Sequence, residues 1–257
     1  MSLFHLLVGP PAYEPRTGWP ALAAVPTAIL MFLAAALVGG LAAQAYVHLF
    51  DMAPVSPTEM SLADGGHIMR LLVWLAGLQL ALVSLTVLAA GFFSSVRKDT
   101  LALRPPAQGP RVFAAALAAM VLFAAVFTTL VLSINPDALL RDLKPFATMM
   151  RSEAWWLTLL VAGIGAPIAE ELLFRGFLFS ALARSRVGLW GATLITTTAW
   201  TVLHAGYSEW GLLEVFLIGL YFSWLMVRTG SLWVPMLCHG AYNTMLIVGL
   251  ALVPLPA

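Results

Sequence analysis

Three runs of residues without a single Asp, Glu, Lys or Arg, 20–50, 71–96 and 112–136, set the first limit on what this chain can fold into. At about 1.5 Å per residue, roughly 20 apolar residues carry a helix across the hydrocarbon core of a bilayer. Each run exceeds that length. Composition points the same way: 61% of the 257 residues are hydrophobic and 10% are charged, where a soluble domain carries about 25% charged residues. Lipid is therefore the solvent to fold against, and the expected class is an all-α, polytopic integral membrane protein. The net charge of +1 leaves no basic excess to attract nucleic acid. The single cysteine, Cys238, excludes an internal disulfide and a CxxC metal site. Residues 1–9 are apolar but short and lack a basic n-region, so a cleaved signal peptide is not expected.

Seven spans, or eight if a connector also crosses, follow from the hydrophobic runs: 20–46, 70–95, 112–134, 154–184, 188–206, 210–227 and 231–253. Between them lie Pro54 and Pro57, then Pro105, Pro106, Gly109 and Pro110, then Pro136, residues that do not sustain a helix. Residues 1–19, with Pro10, Pro11 and Pro15, read as an irregular lead-in, and 20–257 as one transmembrane domain without internal repeats. Connector charge orients the bundle. Segment 94–111 carries Arg97, Lys98, Arg104 and Arg111 against Asp99, whereas 51–69 carries Asp51, Glu59 and Asp64 with no Lys or Arg. By the positive-inside rule the N-terminus is cytoplasmic and the C-terminus lies outside.

Against this apolar background stands Ala169-Glu170-Glu171-Leu172-Leu173-Phe174-Arg175-Gly176. A charged side chain at the centre of a span costs about 2.5–3.5 kcal/mol on insertion scales, so three in six residues need mutual compensation or water. Glu171 and Arg175 stand at i,i+4 with the acid first, the favourable order for a helical ion pair. That leaves Glu170, about 100° round the helix, as the unmatched carboxylate and a candidate base. His204 follows Trp200 by one turn, and Asn243 follows His239 by one turn. Counting helical rise from the turns at Arg186 and Arg228, Glu170 and His204 share a depth, while His239 fits less well and needs a tilt or unequal helix lengths. Glu214 reads as an interfacial acid, Thr196, Thr197 and Thr198 as close-packing residues, and Trp155 and Trp156 as members of an interfacial belt. Cys238 and His239 diverge on a helix, so a Cys–His dyad is not expected.

Glu170-Glu171-x-x-x-Arg175, Trp200-x-x-x-His204 and His239-x-x-x-Asn243 resemble the three motifs of the CPBP intramembrane proteases. That family includes the type II CAAX prenyl endopeptidases and bacterial proteins linked to bacteriocin processing and immunity. The resemblance covers about 155–250 and departs from the family at Trp200, where Phe is usual. It implies a peptidase of a bacterial plasma membrane acting on membrane-associated peptides or proteins, among them C-terminal peptides with a prenylated cysteine. It also implies that Glu170 and His204 polarise a water, that His239 and Asn243 donate to the developing oxyanion, and that Glu171 and Arg175 hold the motif helix in register. Metal-free activation is the implied route. Zinc held by Glu170, His204 and His239 is the alternative, because two histidines and a carboxylate are a common zinc peptidase set. The rival class is a non-catalytic scaffold, immunity protein or transporter. Four intact polar motif residues favour the enzyme, and the lack of paired broken helices disfavours the transporter.

Overall fold

The computed structural model describes residues 10–50, 65–93 and 96–252, and among these residues all regular structure is helical. Eight helices follow in order: α1 (Ala21–Leu49), α2 (Gly65–Ala89), α3 (Arg111–Ile134), α4 (Pro136–Met150), α5 (Trp155–Ala183), α6 (Gly188–Val202), α7 (Glu209–Thr229) and α8 (Trp233–Leu252), with one further helical turn at Arg97–Thr100. Six of them, α1, α2, α3, α5, α7 and α8, are long and apolar enough to cross a membrane. The acidic connector residues Asp51, Glu59 and Asp64 and the lead-in residues 1–9 lie outside the described residues.

The lipid-solvent pattern is clearest in α1. Ala24, Ala28, Ala35, Gly39 and Ala43 face inward, while Leu22, Leu30, Leu37 and Leu41 are exposed. Large apolar residues can stay outside when the surroundings are as apolar as leucine, and small ones line the seam so that backbones approach. A Cβ on Gly39 would sit 2.5 Å from the Trp74 carbonyl, and one on Gly77 would sit 3.0 Å from the Ala42 Cβ. The α1–α2 pair is thus closed by what its glycines lack.

Two segments differ from the sequence expectation. The span expected over 188–206 is a 15-residue helix that ends at Val202, which puts His204 in the following turn rather than on the helix. At about 1.5 Å per residue it reaches roughly 22 Å, short of a full crossing. The expected connector 135–153 instead contains α4. Asn135 Oδ1 accepts from the Ala138 N–H at 3.1 Å, Pro136 starts the helix and Asp137 occupies its first turn, a complete set of start signals. Its Asp142 accepts from the Ser208 N–H (2.8 Å) and hydroxyl (2.5 Å), and Ser208 in turn caps α7 by accepting from the Gly211 N–H. α4 therefore ties down the turn that carries His204.

At the opposite end of the bundle the lead-in is an extended strap. Ala12 and Tyr13 donate to the Val227 carbonyl, Trp19 Nε1 donates to the Ala89 carbonyl at 2.8 Å, and Arg184 reaches the Thr17 carbonyl. The connector from Ala102 to Ala107 meets the α7–α8 turn there through Leu232 N–H to Ala102 O, Ala107 N–H to Thr229 O and Ser231 Oγ to Arg104 O. That turn is made at Gly230, whose φ of +67° lies in the left-handed region that glycine enters without steric cost.

Candidate active site

The motif helix α5 is not a uniform α-helix. It is π-wound over Leu159–Gly165 and Glu171–Leu178, with Ala166–Glu170 between them. A π turn leaves carbonyls without their i+4 donor, and such turns concentrate at functional sites. Two carbonyls of the first π segment also accept from side chains of neighbouring helices: Gln79 Nε2 of α2 donates to Val161 O at 3.1 Å, and Asn243 Nδ2 of α8 donates to Ala162 O at 3.0 Å. Gln79 is the only amide in the charge-free run 71–96, a signal that such a run must satisfy a polar partner.

Close packing then brings α8 to α5. A Cβ on Gly240 would lie 3.1 Å from the Gly163 carbonyl, and one on Gly163 would lie 2.7 Å from Thr244 Oγ1. With no side chains in the way, His239 reaches Glu171, its Nδ1 lying 3.1 Å from Oε1. His239, expected to fit less well in depth, is thus brought within hydrogen-bond distance of the motif helix.

Glu171 and Arg175 form the expected i,i+4 pair, Arg175 Nη1 donating to Oε1 at 3.0 Å, and both are fully buried. Arg175 also donates from Nη2 to the Gly219 carbonyl at 3.3 Å and lies 4.5 Å over the Trp200 ring. One carboxylate oxygen thus serves both the guanidinium and the His239 imidazole, and the three groups make a dry electrostatic knot behind the site.

Glu170 has a different environment. Among the described residues no salt bridge to it forms; its Oε2 accepts from the Trp200 indole N–H at 2.6 Å. The Trp200 main-chain carbonyl faces His204 Nδ1 at 3.0 Å. A carbonyl only accepts, so Nδ1 carries the hydrogen and, in the neutral ring, Nε2 keeps its lone pair. The Trp200 ring further meets the rings of His204 and His239 edge-on, at 5.1 and 5.6 Å between centroids.

Glu170, Trp200, His204, His239 and Asn243 all line one cavity of about 400 Å³. Its other arm is apolar, built from Trp74, Leu78, Phe127, Leu143 and Phe146. Two residues of the rim escaped the functional reading of the sequence. Asp142 sits on α4, which was read as a connector. Glu214, read as an interfacial acid, lines the cavity and accepts from the Tyr242 hydroxyl at 3.1 Å. The pairing of Tyr242 with Glu214 joins α7 to α8 and has no local sequence signal. Among the described residues no group of three or more His, Cys, Asp or Glu side chains is placed to hold a metal ion. In the alternative zinc set, Glu170 Oε2, His204 Nδ1 and His239 Nδ1 meet Trp200 Nε1, Trp200 O and Glu171.

The comparisons agree with the motif half of the chain. Residues 152–245 match the family model described as type II CAAX prenyl endopeptidase Rce1-like. An uncharacterised 24.3 kDa protein of Escherichia coli is 39% identical over 92 residues, 35% of this chain and 42% of that protein. YdiL of Bacillus subtilis (strain 168), named as a proposed membrane peptidase, is 33% identical over 92 residues, 36% of each chain. The UPF0177 protein YxdF of Lactococcus lactis subsp. lactis (strain IL1403) is 28% identical over 83 residues, 32% of this chain and 44% of that protein. The matched stretch spans less than half the length of each of these relatives. No solved structure matches the chain significantly. The stretch matched by that family model holds Glu170, Glu171, Arg175, Trp200, His204, His239 and Asn243.

Proposed function

We propose that this protein is an intramembrane endopeptidase that hydrolyses a peptide bond of a membrane-associated substrate, with a C-terminal prenylated peptide as one class that fits. The observation that carries this reading is the convergence of Glu170, His204, His239 and Asn243 on one cavity with an apolar arm, enclosed by membrane-length helices. The free oxygen of Glu170 and Nε2 of His204 polarise a water, and its oxygen attacks the scissile carbonyl as Glu170 takes the proton. His239, as an imidazolium donating Nδ1–H to Glu171, offers Nε2–H to the oxyanion, and Asn243 offers its second amide hydrogen. The proton held by Glu170 passes to the leaving nitrogen as the C–N bond breaks. Residues of this chain suffice for each step, so the reading is metal-free. The apolar arm takes the lipid-like part of the substrate, where burial contributes about 25 cal/mol per Å² of apolar surface.

Asn243→Ala tests the oxyanion assignment. It should lower kcat about 10²–10³-fold, the usual loss for one such donor, with KM little changed because the contact strengthens only as charge develops. A KM effect with kcat intact contradicts it. The metal-free reading expects activity to survive a strong chelator. One tightly bound zinc per chain, with activity lost on stripping and restored on re-addition, contradicts that reading and makes Glu170, His204 and His239 the ligands.

The basic end of the bundle, carrying Arg97, Lys98, Arg104 and Arg111, faces the cytoplasm of a bacterial cell in this account, with the N-terminus on the same side. Cys238→Ser removes the only native thiol. In that background an impermeant maleimide added to intact cells should label Asp137→Cys, in the first turn of α4, and spare Ala107→Cys. The reverse pattern inverts the topology.

A further inference from the structure

We propose that Trp200 is a positioning residue for the water-activating pair, holding Glu170 through its indole N–H and His204 through its main-chain carbonyl. The inference rests on the reading of Glu170 and His204 given above and adds a residue to it. Three observations carry it. The indole N–H lies 2.6 Å from Glu170 Oε2, a short, charge-assisted contact to a carboxylate that makes no salt bridge among the described residues. The same residue accepts from His204 Nδ1–H at 3.0 Å, so it touches both members of the pair and selects the tautomer that leaves Nε2 free. The third is the space made for it. A Cβ on Gly219 would fall 3.0 Å from the Trp200 Cε3 and 2.8 Å from the Thr197 Cγ2, so the wall facing the indole has been cut back to a glycine.

The Arg175 guanidinium, 4.5 Å over the ring, presses on the indole face and keeps its edge directed at Glu170. The usual Phe of the resembled family would fill part of this space but has no donor. In this chain the indole N–H does what a phenyl ring cannot: it fixes the rotation of the carboxylate and engages one oxygen, so that the other is presented to water. A base that must first find its orientation loses the advantage of a preset geometry.

The test separates the contact from its role. In protein labelled with 15N-tryptophan, the Trp200 indole resonance, assigned by its loss in Trp200→Phe, should lie downfield of the other eight tryptophans and move upfield in Glu170→Ala. A Trp200 resonance indifferent to Glu170→Ala overturns the contact. For the role, Trp200 is exchanged for benzothienylalanine, which keeps the ring's size and cation-facing surface but carries sulfur in place of N–H. Against a panel of farnesylated and unmodified peptides, kcat should fall about 10- to 100-fold, the size expected of one hydrogen bond to a charged acceptor, with KM and Tm unchanged. Unchanged kcat, a loss expressed in KM, or a loss that tracks falling Tm each overturns the positioning role. Where Glu170→Gln still abolishes cleavage, the failure is confined to Trp200. Where Glu170→Gln stays active, or the unaltered protein cleaves none of the panel, the catalytic reading falls and this inference with it.

Discussion

Arg175→Ala should remove folded protein rather than slow an enzyme. Arg175 is fully buried, donates to Glu171 and to the Gly219 carbonyl, and faces the Trp200 ring. Its loss leaves the buried Glu171 carboxylate with His239 alone, and its Oε2 already has no hydrogen-bond partner among the described residues. Breaking one side of such a pair costs roughly 3–5 kcal/mol, a large share of the about 5–15 kcal/mol that holds a typical domain together. The expected result is a strong drop in yield of monodisperse protein and in thermal midpoint in detergent. Arg175→Lys should recover only part of it, since an ammonium cannot reach Glu171 and Gly219 with two separate nitrogens. A stable Arg175→Ala protein with an unaltered midpoint would show that the knot of Glu171, Arg175 and His239 does not hold the motif helix.

Glu170→Gln should do the opposite: leave the fold intact and remove cleavage, by about 10²–10⁴-fold for the loss of a general base. The amide oxygen can still accept the Trp200 indole N–H, and Arg175 keeps its ion pair with Glu171. Yield and thermal midpoint should match the unaltered protein while turnover disappears. Two adjacent glutamates thus have opposite roles. The distinction follows from environment, since Glu171 is sealed behind the site and Glu170 lines the cavity.

Much of this division was legible in the chain. The charge-free runs required membrane helices, and the i,i+4 spacing of Glu171 and Arg175 paired them and left Glu170 over. What stayed hidden has physical reasons. The π windings of α5 meet side chains of other helices, Gln79 and Asn243, that donate to carbonyls within them; no local pattern in 159–178 announces them. The helix α4 was masked because Arg141, Asp142, Lys144 and Pro145 make 135–153 look like a charged connector, although Asn135-Pro136-Asp137 is a sound helix start. α6 was drawn too long because the apolar run continues past Val202 into the turn that holds His204. The partners of Glu214 and Asp142 come from distant helices, and only the packed structure brings Tyr242 and Ser208 to them.

The central claim is hydrolysis by Glu170 within the cavity, and product mass spectrometry tests it most directly. Purified protein is incubated with a panel of farnesylated and unmodified peptides, in parallel with Glu170→Gln. The account predicts, for at least one peptide, two fragments whose masses sum to that of the substrate plus one water, formed by the unaltered protein and absent with the variant. Fragments formed equally by Glu170→Gln, or none formed from any peptide by well-folded unaltered protein, would contradict it.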